Sequence, residues 1–132
     1  MIMGKKILIV DDEPDLLRVA TFRLKKFGYE VLTARDGQEA LDLLQKDTPD
    51  LIFLDLKLPV MSGYEVCRQI KSDNNLKNTP VVLFTASSDR IAEKAKEIGA
   101  DDYMTKPFGP EDLLEKIKKF LPPEADQPSA DG

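Results

Sequence analysis

Two rhythms of apolar residues run through this chain. Unbroken apolar runs, ILIV at 7–10, LIFL at 51–54 and VVLF at 81–84, alternate with longer stretches in which apolar residues return every three or four positions. The first rhythm is that of strands buried on both faces, the second that of amphipathic helices. Together they predict strands at Lys5–Val10, Glu30–Ala34, Leu51–Asp55, Pro80–Thr85 and Asp102–Thr105. Helices fall between them. Pro14–Phe27 carries Leu16, Leu17, Ala20, Leu24 and Phe27 on one face. Further helices begin at Asp36, at Ser62 and at about Ser88, and end before Pro49, at about Ser72 and at Ile98. The last starts with Pro110 and places Leu113, Leu114, Ile117, Phe120 and Leu121 inward.

Punctuation residues agree with these boundaries. Asp36 with Glu39, and Ser62 with Glu65, have capping-box spacing. Gly28 and Gly99 can end helices in a left-handed conformation. Pro110 stands in a first helical turn, where its missing N–H costs nothing. Strict alternation of strand and helix implies an α/β fold with parallel strands, right-handed crossovers and helices on both faces. Strands two (EVLTA) and five (DYMT) are mixed in character, as edge strands are. The expected order is therefore 2-1-3-4-5, the flavodoxin-like, doubly wound arrangement. Residues 122–132 (PPEADQPSADG) have no periodicity. They read as a disordered tail or the start of a linker after a domain at 5–121.

Composition narrows the function. The chain has 132 residues, 42% of them hydrophobic, enough for one domain with a real core. A net charge of -5 gives no basic footprint for direct nucleic-acid binding. No apolar run has the length of a membrane span or a secretory signal, and Cys67 is the single cysteine. A cytoplasmic protein without membrane attachment is expected. The absence of histidine removes Ser-His and Cys-His nucleophile pairs and histidine metal ligands.

The unusual residues sit where strands end. ILIVDDEPD runs a buried strand straight into Asp11, Asp12 and Glu13. Asp55 closes the third strand, Thr85 the fourth, and Lys106 follows the fifth. In a doubly wound sheet ligands bind beyond the carboxyl ends of the strands, where the strand order reverses. Three close carboxylates cannot all stay ionised without compensation. A hard divalent cation such as Mg²⁺ and the ammonium of Lys106 are the two remedies. With both present, a carboxylate could act as a nucleophile towards a phosphoryl group. Simpler roles compete with this. Asp12 and Glu13 can favour the positive end of the following helix by about 0.3–1 kcal/mol. Asp55 can cap a loop, a terminal Thr is often structural, and most lysines are solvated. Cys67 reads as a small buried apolar residue.

Taken together, ILIVDDEPD, ARDGQEAL, PDLIFLDLKLPVMSG, TPVVLFTA and GADDYMTKPF resemble the receiver domains of two-component response regulators over about residues 5–121. The resemblance implies that Asp55 is the phospho-acceptor. Asp12 would ligate Mg²⁺ directly and Asp11 mostly through water. Asp55 and the backbone carbonyl of Lys57 would complete the protein ligands, and Mn²⁺ can substitute. Thr85 and Lys106 would hold phosphoryl oxygens, and the Lys106–Pro107 bond would be cis. Thr85 and Tyr103 would form the switch, altering the surface of helix four, strand five and helix five. Gly109 departs from the usual capping residues, at a cost of tenths of a kcal/mol. Lys57 and Ser87 stand at positions that affect how long the phosphoryl group survives.

The resemblance also implies partners. A sensor histidine kinase or phosphotransfer protein would supply the phosphoryl group, since this chain cannot carry a phosphohistidine itself. The output would go to a downstream protein, as in chemotaxis or a phosphorelay, or to an effector domain of a longer regulator. The chain would be a monomer or a phosphorylation-dependent dimer. It would be a switch with intrinsic autophosphorylation and dephosphorylation only, not a metabolic enzyme. Competing classes are a Mg²⁺-dependent phosphohydrolase, a receiver-like module that is no longer phosphorylated, and a nucleotide-binding flavodoxin-like protein. The hydrolases carry D-x-D at the nucleophile, where this chain has LDLKL. The full set of acids with Thr85 and Lys106 argues against the second, and the lack of a Gly-rich phosphate loop against the third.

Overall fold

The computed structural model describes residues 5–86 and 90–122. Ser87, the expected helix start at Ser88 and the tail beyond residue 122 lie outside that range. Five strands, β1 (Lys6–Val10), β2 (Glu30–Ala34), β3 (Leu51–Asp55), β4 (Val81–Thr85) and β5 (Asp102–Thr105), alternate with five helices. These are α1 (Pro14–Lys26), α2 (Gly37–Lys46), α3 (Gly63–Ser72), α4 (Ile91–Ile98) and α5 (Pro110–Phe120). All strand pairs are parallel, in the order β2-β1-β3-β4-β5.

Side chains of a strand alternate between faces, so a strand between two helical layers must be apolar at every position. Leu8, Val10, Ile52, Leu54, Val81 and Leu83 face Ala40 and Leu44 of α2, Val66, Cys67 and Ile70 of α3, and Ala95 of α4. Ile7, Ile9, Leu51, Phe53, Val82 and Phe84 face Leu17, Ala20 and Leu24 of α1 and Leu113 and Ile117 of α5. Two dry layers therefore hold the sheet, and the carboxyl ends of its central strands lie between them.

Helix ends follow local chemistry. Asp36 accepts from the N–H of Glu39 at 2.8 Å, and Glu39 reaches back to the N–H of Arg35 at 2.6 Å. Ser62 accepts from the N–H of Glu65 at 3.3 Å. At α5 the missing cap side chain of Gly109 is compensated by Asp112, which accepts from the Gly109 N–H at 2.7 Å. Gly28 (φ 96°) and Gly99 (φ 81°) take the left-handed conformation after α1 and α4.

Two expectations change. Phe27 is the C-cap of α1 and 44% exposed, so it leaves the buried face expected of it. Leu114, Phe120 and Leu121 are only half-buried, because the inward face of α5 is Leu113 and Ile117. Among the described residues α4 begins at Ile91, and Arg90 before it has a left-handed backbone (φ 56°). Cys67 is fully buried, and burial pushes its thiol pKa up to about 11, which suits an inert packing residue.

Candidate functional site

Backbone pairing carries four side chains to one edge. Beyond β1, the N–H of Asp11 donates to the Ala34 carbonyl at 3.0 Å. Asp55 is the last residue of β3, and the next N–H, that of Leu56, donates to the Phe84 carbonyl at 3.0 Å. Thr85 ends β4, and its carbonyl accepts from the N–H of Lys106 at 2.9 Å. The Lys106–Pro107 peptide bond is cis. Asp12, Glu13, Asp55, Lys57, Thr85, Ala86 and Lys106 line one opening, and Asp11 lies fully buried beneath it.

Lys106 is the hub. Its Nζ lies 2.8 Å from Asp11 Oδ2, 2.8 Å from Glu13 Oε1 and 3.1 Å from Asp55 Oδ2. Burial alone would lower its pKa, but the three carboxylates outweigh burial and raise it. Glu13 is thus more than the acid at a helix start that its position suggests. It is the third carboxylate on the ammonium, across 93 residues of sequence. No local signal marks that contact; the acid directly after Asp11-Asp12 is its only trace.

The other oxygens are held as follows. Asp11 Oδ1 accepts from the N–H of Glu13 at 2.7 Å, and Asp55 Oδ1 from the N–H of Lys57 at 3.1 Å. Asp11 Oδ2 is buried, and the Lys106 ammonium at 2.8 Å is its counter-charge, with no other donor among the described residues. Burial raises the pKa of Asp55 and the Asp11 charge adds to it, while the Lys57 N–H and Lys106 pull the other way. Asp11, Asp12 and Asp55 each bring one oxygen within 4.8 Å of the others. This all-oxygen set, with a buried oxygen that has no donor but Lys106 among the described residues, fits a hard divalent cation.

Tyr103 does not join this group. It stands opposite Leu83 in the β4–β5 register, 40% exposed. It borders a separate recess with Pro107, Phe108 and Lys116. The loop after Asp55 has its own peculiarity. Val60 has φ 72°, and the Met61 N–H donates to the Pro59 carbonyl at 2.7 Å, making a γ-turn around a valine that is 80% exposed.

Residues 7–118 match the family model described as the response regulator receiver domain. The chain is 42% identical over 120 residues to the alkaline phosphatase synthesis transcriptional regulatory protein PhoP of Bacillus subtilis, covering 90% of this chain and 49% of PhoP. It is 42% identical over 119 residues to the probable transcriptional regulator ycf27 of Cyanophora paradoxa, covering 89% of this chain and 48% of that protein. It thus spans about half the length of these relatives. The chemotaxis response regulator CheY4 of Vibrio cholerae superposes with a TM-score of 0.83 at 36% identity, over 89% of this chain and 98% of CheY4. TrrA of Thermotoga maritima, solved in complex with Mg²⁺-BeF, gives a TM-score of 0.78 at 38% identity, over 89% and 99% of the two chains. No helix among the described residues is long and apolar enough to cross a membrane. The sheet order, the acidic carboxyl edge and these matches agree: the chain belongs to the response regulator receiver domain family.

Proposed function

We propose that this chain is a phospho-accepting switch of a two-component system, with Asp55 as acceptor and a partner's phosphohistidine as donor. The observation that carries the reading is the carboxylate of Asp55, buried at the end of β3 with Lys106 on one oxygen and Asp11 and Asp12 beside it. An oxygen of Asp55 attacks phosphorus, the P–N bond to the donor imidazole breaks, and the released ring takes up a proton. The product is an acyl phosphate on Asp55. Mg²⁺, held by Asp11, Asp12, Asp55 and the Lys57 carbonyl, would supply positive charge for the transferring oxygens.

Lys106 neutralises the acceptor before transfer and pairs with a phosphoryl oxygen after it. Thr85, at the neighbouring strand end, donates its hydroxyl to another. Drawing Thr85 inward biases a two-state equilibrium, and Tyr103 on the next strand follows it. The surface of α4, β5 and α5 then favours a different partner, which is a downstream protein, an appended effector domain or a second copy. The chain acts in the cytoplasm and turns over no metabolite. Lys57, at the pocket mouth, screens the acyl phosphate from water and lengthens its life.

The test is a mass measurement. Incubation with a small phosphodonor and Mg²⁺ should add one phosphoryl group, and Asp55→Asn should add none. Phosphate release far in excess of protein would point to a phosphohydrolase, and no gain by the unaltered protein would sink the acceptor role.

A further inference from the structure

Helices α2 and α3 both begin with a buried glycine. Neither Gly37 nor Gly63 has a left-handed backbone; among the described glycines only Gly28 and Gly99 do. What Gly37 and Gly63 supply is therefore space, and both supply it around the loop that follows Asp55. A methyl group on Gly63 would stand 2.2 Å from the Asp55 carbonyl oxygen, 2.7 Å from Leu56 Cα and 3.0 Å from the Asp55 carbonyl carbon. All three are main-chain atoms and cannot rotate away. The Gly63 N–H donates to the Leu56 carbonyl at 2.9 Å, closing the loop onto the strand end.

Gly37 stands on the other side of that loop. A methyl group there would lie 2.7 Å from Val66 Cγ2 and 3.0 Å from both Cβ and the carbonyl oxygen of Met61. One of these atoms is the end of a side chain, so this contact gives more easily. The loop is thus wedged between the first residues of two helices. Among the described residues the carboxylate of Asp55 accepts from the Lys57 N–H at 3.1 Å and from Lys106 at 3.1 Å. Its depth in the pocket depends on where the backbone of Asp55 and Leu56 is held.

We propose that Gly63, supported from behind by Gly37, is a positioning residue for the acceptor. The close approach of α3 sets the place of Asp55 relative to Asp11, Asp12 and Lys106. This rests on the reading of Asp55 as acceptor. Relieving a 2.2 Å contact to ordinary packing distance moves the strand end or the helix by about 1 Å. A misplacement of about 1 Å can cost roughly 100-fold in rate.

The experiment compares the unaltered protein, Gly63→Ala and Gly37→Ala, each well below its own thermal midpoint. Two quantities are read: the phosphorylation rate at saturating small phosphodonor, and Mn²⁺ affinity by electron paramagnetic resonance. Gly63→Ala should lower the maximal rate roughly 10–100-fold and weaken Mn²⁺ binding while circular dichroism stays folded. Gly37→Ala should lower the rate about 3–10-fold, in keeping with its softer contact. Glycines that served packing alone would lower the thermal midpoint and leave both quantities at the unaltered values, and that result overturns the proposal. If Gly63→Ala does not fold, the rate of Gly37→Ala decides. A failure of the unaltered protein to react would instead overturn Asp55 as acceptor, so the two ideas fail separately.

Discussion

At the amino end of the sheet, Lys71 of α3 donates to the carbonyls of Lys77 and Thr79 at 3.3 and 3.0 Å and to Asp101 at 2.8 Å. The same Asp101 oxygen accepts from the N–H of Val81 at 2.8 Å. Each charge there has a counter-charge and a backbone partner, and the knot ties α3, the start of β4 and the α4–β5 turn together. At the carboxyl end, three carboxylates share Lys106, and a buried oxygen of Asp11 has no donor besides it among the described residues. The same fold satisfies one set of ions and leaves the other short. Lys71 shows that this backbone can pair its ions fully, so the shortage around Asp55 is a property of the site. It is the state from which the proposed uptake of a cation and a phosphoryl group would start.

Removing the two lysines should break the comparison most sharply. Lys106→Met leaves Asp11 and Asp55 buried with no counter-charge, and truncating a buried pair costs about 3–5 kcal/mol. Urea melts should show that loss without Mg²⁺ and a partial recovery with it, larger than any gain by the unaltered protein. Lys71→Met should cost roughly 1–3 kcal/mol with no recovery in Mg²⁺ and an unchanged phosphorylation rate. A changed rate would mean that the two ends are not independent.

Acidity separates the ends more finely. Burial raises the pKa of Asp55 in the fold above its unfolded value. Such a group favours the fold below its unfolded pKa and penalises it as pH rises through the folded pKa. Asp55→Asn should therefore melt a few degrees higher than the unaltered protein at pH 7, and the margin should close near pH 3–4, around the usual carboxylate range. Melts taken across that span check the sign. Val60→Gly carries the smallest effect. A left-handed β-branched residue is strained by about 1–2 kcal/mol, and glycine returns part of that as chain entropy. A gain of up to about 1 kcal/mol is expected, with the phosphorylation rate unchanged.

What could be read in the amino-acid sequence follows from the range of the forces involved. Strand bounds at Glu30–Ala34, Leu51–Asp55 and Asp102–Thr105 coincide with the observed ones, because unbroken or mixed apolar runs report directly on burial. The strand order was legible for the same reason: edge strands lose one covering layer and become mixed. Asp11, Asp55, Thr85 and Lys106 could be placed together because each lies at a strand end. Glu13 could not be given its partner, since nothing near it in the chain marks Lys106. Gly37 and Gly63 carry no signal in the sequence, because the atoms that crowd them belong to other elements. Val60 was hidden by its own preference, as valine disfavours the conformation it adopts. Phe27 had helical spacing, but the helix ended one residue too soon to bury it.

The long separation between Asp55 and Lys106 also has a meaning in time. Lys106 follows Asp55 by 51 residues. At about 5–20 residues per second, a ribosome adds that length in roughly 3–10 s. The three acids that share Lys106, Asp11, Glu13 and Asp55, are all made before it. β1 and β3 lie side by side, so their pairing brings Asp11 and Asp55 together ahead of that charge. The central pair of strands can meet early only by tolerating this repulsion or borrowing a cation from solution. Completion of the pocket thus waits for the fifth strand: during synthesis Asp11, Asp12 and Glu13 are its oldest part, Asp55 follows, and the counter-charge of Lys106 is the youngest.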